Sequence, residues 1–255
     1  MSQYDTYKKL FKYQKLISFV RDSRLNNLQN FQNEGENLSN SQIYEKVYKI
    51  LFDNHKFEYI FKNEFLNLHI NEVYDQRKKL LYEVEIYKDN TLINILDLLL
   101  ITESSAYAIE IKSDFDTPNR LEKQLDTYMK LFQYVSIFVS EEKLSLYLKH
   151  LEDMRYETVG ILSLVNGAIK TIKKPLQNEL DIEMIKENIW RLKPGLPIEE
   201  LSIDKLYTSW LNILFTTFSY DSDFVRKMPR SLKFFSYSHS NMQKLRKARL
   251  LKFFK

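Results

Sequence analysis

Residues 93–128 read INILDLLLITESSAYAIEIKSDFDTPNRLEKQLDTY, and the fold turns on how this stretch is taken. Asp97 interrupts the run Ile95 to Ile101, which otherwise reads as a fully buried strand. An unpaired carboxylate in such a run costs on the order of several kcal/mol or becomes protonated, so something has to compensate it. In the next apolar run Glu110 and Lys112 stand two apart and point to one face of a strand, while Ile109 and Ile111 point to the other. Thr117 and Pro118 then have the character of an N-cap and first helical residue. The helix they open runs to about Gln133 and carries Arg120, Gln124 and Tyr128 four residues apart on one face.

Strand patterns continue on both sides. LLYEVEIY at 80–87 alternates and ends in the polar turn 88–90, which predicts a hairpin into the strand 92–102. The third strand is 106–112, and 134–139 (YVSIFV) follows the helix, as a right-handed βαβ crossover requires. Ser140 is placed to cap a helix through Leu151. VGILSLV at 159–165, Asn166-Gly167 and 168–173 read as a hairpin with a type I′ turn. Helical periodicity governs both ends: 4–30, 41–51 and 57–68 before the sheet, with a polar linker at 30–40, and 181 onward after it. Trp190 and Trp210 fall on apolar stripes and are expected in the core. The expected fold class is α/β, a mixed central sheet flanked by helices with N-terminal and C-terminal helical extensions. Its regions are an N-terminal helical region over 1–77 packing on the core, a core over 78–175, and a C-terminal helical region with a basic tail over 176–255.

Composition narrows the chemistry. The 255 residues include four glycines and five prolines, few for folds built on tight turns or glycine-rich phosphate cradles. The chain has no cysteine, which excludes disulfides, thiolate metal sites and cysteine nucleophiles. Its four histidines lack metal-ligand spacing. The first residues carry no apolar signal region, and the longest apolar run is too short to span a bilayer. A cytoplasmic protein without a membrane span is therefore expected. The net charge is +4, but residues 226–255 hold ten Lys/Arg and no Asp or Glu.

If the strands of Asp97 and Glu110 are neighbours, the two carboxylates converge on one divalent cation. Hard oxygen ligands suit Mg²⁺ or Mn²⁺, which keep waters and accept phosphate oxygens. Lys112 beside them can hold a scissile phosphate or help deprotonate an attacking water. Gln124 can orient that water or Lys112, Arg120 can bind phosphate, and Tyr128 can do either or simply pack. The competing reading has Asp97 salt-bridged to Lys112 and Glu110 exposed on an edge strand.

The arrangement Asp97, Glu110-Ile111-Lys112 and Gln124-x3-Tyr128 resembles the PD-(D/E)xK nuclease superfamily, and the Gln/Tyr helix resembles its exonuclease-like branch. More narrowly, AIEIKSDFDTPNRLEKQLDTYMKLFQYV is similar to a family of small bacterial proteins placed in that superfamily. The likeness covers about residues 78–175. It implies a restriction-endonuclease-like sheet and a Mg²⁺-dependent phosphodiesterase acting on DNA, with Asp97, Glu110 and Glu83 as metal ligands and Lys112 as the catalytic lysine. Glu85 and Glu64 are alternatives for the upstream acid. Leu96 stands where the superfamily often has proline. A setting in bacterial or phage defence goes with such nucleases, and a catalytically inactive fold that binds nucleic acid or protein is the alternative.

The tail LKFFSYSHSNMQKLRKARLLKFFK interleaves cations with aromatics. Lys244, Arg246, Lys247 and Arg249 are candidates for phosphate contact on nucleic acid. An amphipathic helix on anionic lipid and a solvated face packing its phenylalanines remain open, as does pairing with a second copy or a protein partner.

Overall fold

The computed structural model describes residues 3–22, 38–54, 57–198, 201–217 and 219–254. It divides into two compact units, one formed by residues 1–67 and 220–255 and the other by 68–219.

The N-terminal part of the first unit comprises α1 (Gln3–Leu10), α2 (Tyr13–Asp22), α3 (Asn40–Asn54) and the start of α4 (Glu58–Tyr74). The helical region expected over 4–30 consists of two helices as far as Asp22. Its remainder, 23–30, and the linker residues 30–37 lie outside the described residues.

The second unit is built on a six-stranded sheet: β1 (Lys79–Lys88), β2 (Thr91–Ile101), β3 (Ala106–Lys112), β4 (Tyr134–Ser140), β5 (Gly160–Val165) and β6 (Ala168–Lys173). The strands lie in sequence order. β1–β2, β2–β3 and β5–β6 are antiparallel, while β3–β4 and β4–β5 are parallel. A mixed sheet flanked by helices is what alternation and turn chemistry predict, and the two tight hairpins show why. Asp89 and Asn90 have φ of 51° and 57°, and Asn166 and Gly167 have 49° and 79°, the paired positive values of a type I′ turn that match the twist of the joined strands. Gly160 answers a different need, because a Cβ there would lie 2.7 Å from Pro175 and from the Ser136 hydroxyl.

The parallel steps run through α5 (Leu121–Leu131) and α6 (Leu144–Asp153). Leu121, Leu125, Tyr128 and Leu131 of α5 and Tyr147 and Leu151 of α6 join Leu99, Ile137, Val139 and Ile161 of the sheet in one core cluster. Two expected helix starts differ. Thr117 precedes a 3₁₀ turn, Pro118–Arg120, rather than α5 itself, and its side chain makes no cap bond. Ser140 likewise precedes a 3₁₀ turn without capping it.

α7 (Ile182–Leu192) and α8 (Ile203–Thr217) belong to this unit. Asn188 of α7 accepts from the Tyr87 N–H at 3.1 Å and donates to its carbonyl at 3.0 Å. It thereby satisfies the backbone where the β1–β2 register shifts. Trp210 is 3% exposed as expected, but Trp190 is 50% exposed. The apolar stripe of α7 is carried by Ile185 and Ile189, and Trp190 sits one step beyond it.

The C-terminal segment, α9 (Ser222–Lys227), α10 (Lys233–Ser238) and α11 (Lys244–Phe253), returns to the first unit. Phe234, Phe235 and Phe254 are buried, with Tyr44 edge-on to Phe254 and Tyr59 edge-on to Phe234. Sequence counts give this unit 20 Lys/Arg against 10 Asp/Glu, and the sheet unit 18 against 24. Among the described residues no helix is long and apolar enough to cross a membrane.

Candidate active site

The site forms where β2 parts from β3. Their ladder begins at Leu98–Ile109, and one step further out the Asp97 carboxylate takes the place of a backbone acceptor. The Ile111 N–H donates to Asp97 Oδ2 at 2.8 Å. That bond answers the question raised by a carboxylate inside an apolar run. Asp97 is partly exposed and is held against the strand that carries Glu110.

Glu110 and Lys112 are buried, 3% and 7% exposed. Lys112 Nζ donates to Glu110 Oε1 at 2.9 Å and to Gln124 Oε1 at 2.8 Å. The Gln124 amide donates to Glu110 Oε1 at 2.5 Å, and the Tyr128 hydroxyl to Glu110 Oε2 at 3.0 Å. Both carboxylate oxygens are therefore engaged. The same Tyr128 hydroxyl also lies 3.1 Å from the Ile95 carbonyl, which joins α5 to β2. A second tie, from the Asn94 amide to Thr127 Oγ1 at 2.6 Å, fixes α5 over the strand so that Gln124 and Tyr128 reach the sheet.

Burial raises the pKa of Glu110 above the usual carboxylate range, against the opposing pull of the Lys112 charge and of the bonds from Lys112, Tyr128 and Gln124. The Tyr128 phenol is pushed far up, first by burial and then by Glu110, with Asp97 adding to it. Both carboxylates thus act on one hydroxyl. The competing sequence reading places Glu110 exposed on an edge strand, whereas Glu110 is buried on an interior strand.

Arg120 is exposed at the end of the 3₁₀ turn before α5. Glu83 is exposed, at the β1 position opposite Asp97 between the pairs Tyr82–Leu98 and Val84–Leu96, with a φ of 51°. A left-handed backbone is costly for a glutamate within a strand. Glu85 accepts from the Tyr87 hydroxyl at 2.6 Å. Glu64 belongs to the helical unit, where Arg230 grips both its oxygens at 3.0 and 2.5 Å and Tyr48 donates to it at 2.6 Å. Of the tail candidates, Lys244, Arg246 and Arg249 are exposed. Lys247 is partly buried and pairs with Asp221 at 2.6 Å.

Asp97 and Glu110 offer two hard oxygen donors. Among the described residues no group of three or more His, Cys, Asp or Glu is gathered for a metal ion.

Sequence reading missed the turn that follows Lys112, where Asp116 Oδ2 accepts from the Ser113 N–H at 2.8 Å and from its hydroxyl at 2.6 Å. The Ser-x-x-Asp spacing is a signal that could have found it. It also missed Tyr147, which nothing in its amphipathic helix distinguishes from core.

No curated protein and no solved structure matches the chain. Residues 51–189, more than half of the chain and including all five clustered residues, match the family described as Bacteriophage P4 protein cII, and the chain belongs to that family.

Proposed function

We propose that the protein is a Mg²⁺-dependent phosphodiesterase acting on nucleic acid, DNA in the first instance, on a restriction-endonuclease-like core of the PD-(D/E)xK type. The observation that carries this reading is a single constellation. Asp97 takes the backbone N–H next to Glu110 where two strands part, and Lys112 Nζ is held between Glu110 and Gln124 at 2.9 and 2.8 Å.

Asp97 and Glu110 would hold the cation, a donor set that fits a metal keeping several waters, Mg²⁺ or Mn²⁺. When bound, the cation neutralises phosphate charge and lowers the pKa of a coordinated water. Lys112 would set its charge against the charge developing on the phosphate. Gln124 keeps the lysine aimed. Glu83, across β1–β2 from Asp97 and on a strained backbone, is the nearest candidate for a further acid. The exposed Lys244, Arg246 and Arg249 supply phosphate contacts in the helical unit, whose composition is strongly basic. Membership in a phage family accords with a setting in mobile-element or defence biology.

A second reading is a non-catalytic nucleic-acid or protein-binding module. The observation favouring it is that Glu110 is closed by its own lysine, glutamine and tyrosine. Incubating the full chain with DNA and Mg²⁺ separates the two. Cleavage that disappears in Lys112→Ala, with folding retained by circular dichroism, supports the enzyme. Undiminished cleavage in that variant refutes the mechanism, and binding without cleavage in the wild type favours the module.

A further inference from the structure

On the far side of Lys112 from Asp97 the sheet carries a row that the site described so far does not use. Lys112 pairs with Val139 on β4, and Val139 with Ser163 on β5, so the three share a face near the carboxyl ends of parallel strands, where open α/β sheets bind their ligands. Tyr147 of α6 packs in the same core cluster as Val139 and Tyr128. The Tyr147 hydroxyl and Ser163 Oγ are both buried, and neither has a hydrogen-bond partner among the described residues.

A buried donor without an acceptor costs about 1–3 kcal/mol, and phenylalanine would fill the same apolar space without that cost. Tyr128 is a telling contrast. It is equally buried, but its hydroxyl is bonded to Glu110 and Ile95. Burial first, and then the charges of Asp116 and Glu110, push the Tyr147 pKa up to about 12, so the phenol remains a donor at neutral pH. Asp116 Oδ2 is already taken by Ser113.

We propose that Tyr147 is a further substrate-binding residue of this site, its phenol donating to a non-bridging phosphate oxygen of the strand held at Lys112; this rests on the phosphodiesterase reading above. Glu110 and Lys112 are closed off much as Tyr147 is. The Glu110 charge acts on the Tyr147 phenol, so the two groups share one electrostatic neighbourhood.

The test is Tyr147→Phe in the full chain, followed by thermal denaturation, by cleavage of a short labelled duplex DNA with Mg²⁺, and by binding of the same DNA with Ca²⁺ in place of Mg²⁺. The expected result is an unchanged or higher Tm, with kcat/KM lowered about tenfold or more, as loss of one hydrogen bond to a charged oxygen implies. A lower Tm would show the hydroxyl serving the fold and overturn the proposal. Wild-type cleavage matched by the variant overturns it too, while leaving the phosphodiesterase reading intact. If the wild type does not cleave but binds DNA more tightly than the variant, the catalytic reading fails and the phosphate contact stands. If neither protein cleaves and both bind alike or not at all, both ideas fall.

Discussion

Among the described residues each unit buries one glutamate against a cation and a tyrosine, and the two sites are built for different work. Glu64 of the helical unit meets Arg230, 166 residues away in sequence, through a two-point grip, with Tyr48 donating to the same carboxylate. Planar guanidinium and planar carboxylate match, and the result clips two distant segments of one unit together. Glu110 of the sheet unit meets Lys112 from the same strand, two residues on. That pairing closes no loop and ties no distant segments. Its surroundings, a second carboxylate at Asp97 and the amide of Gln124 shared between both partners, are what a clip has no need of. Lysine is a point charge that can swing to another anion, whereas arginine in a fork cannot leave without losing both bonds.

Lys112→Ala gives the largest expected effect. It leaves the buried Glu110 charge without its cation and destabilises the sheet unit by about 3 kcal/mol, while cleavage falls by about 10²–10³-fold. Chemical denaturation and a cleavage assay on the same preparation read the two. Arg230→Ala destabilises the helical unit by about 2 kcal/mol, less than a fully buried pair because the arginine side chain is 56% exposed. Cleavage per folded molecule stays at the wild-type level. Should Arg230→Ala abolish cleavage as Lys112→Ala does, the contrast between clip and site disappears.

Tyr128→Phe sharpens the comparison within the sheet unit. It removes the donor to Glu110 Oε2 and costs about 1–2 kcal/mol in a denaturant titration. Replacing Lys244, Arg246 and Arg249 together by alanine leaves stability near wild type and flattens the dependence of DNA affinity on salt, by about 0.9 in log–log slope for each phosphate that is no longer neutralised. An unchanged slope would remove the tail from the nucleic-acid reading.

The smallest effect is in pH. Because burial raises the Glu110 pKa, the folded state holds that proton more tightly than the unfolded chain does. The resulting stability is complete below the ordinary glutamate value of 4.5 and is lost as pH rises through the raised one. Cation binding needs the ionised carboxylate and runs the other way. Mn²⁺ affinity, followed by calorimetry, is expected to strengthen with pH over that window, and in Glu110→Gln the affinity and its pH dependence both collapse.

Much of the sheet is legible without coordinates. The strands expected at 80–87, 92–102, 106–112, 134–139, 159–165 and 168–173 lie within a residue or so of those observed, because alternation and hairpin turns are local properties of the chain. Asp97, Glu110, Lys112, Gln124 and Tyr128 could be singled out for the same reason. Two of them break an apolar pattern, and the others fall at helical or strand spacing from them. The Tyr147 phenol gave no such sign, since a tyrosine on an apolar helix face reads as core whether or not its hydroxyl has a partner.

What the sequence by itself determined is therefore the order of elements, the turns and the set of side chains able to do chemistry, all written in neighbours a few residues apart. Tertiary structure alone decided the rest: that Asp97 would bond the backbone N–H of Ile111, that Glu110 would be closed by three donors, and that the two chain ends would share one unit through Glu64 and Arg230. Those outcomes depend on which segments bury one another, and burial turns a weak attraction in water into a bond that the fold cannot leave unmade.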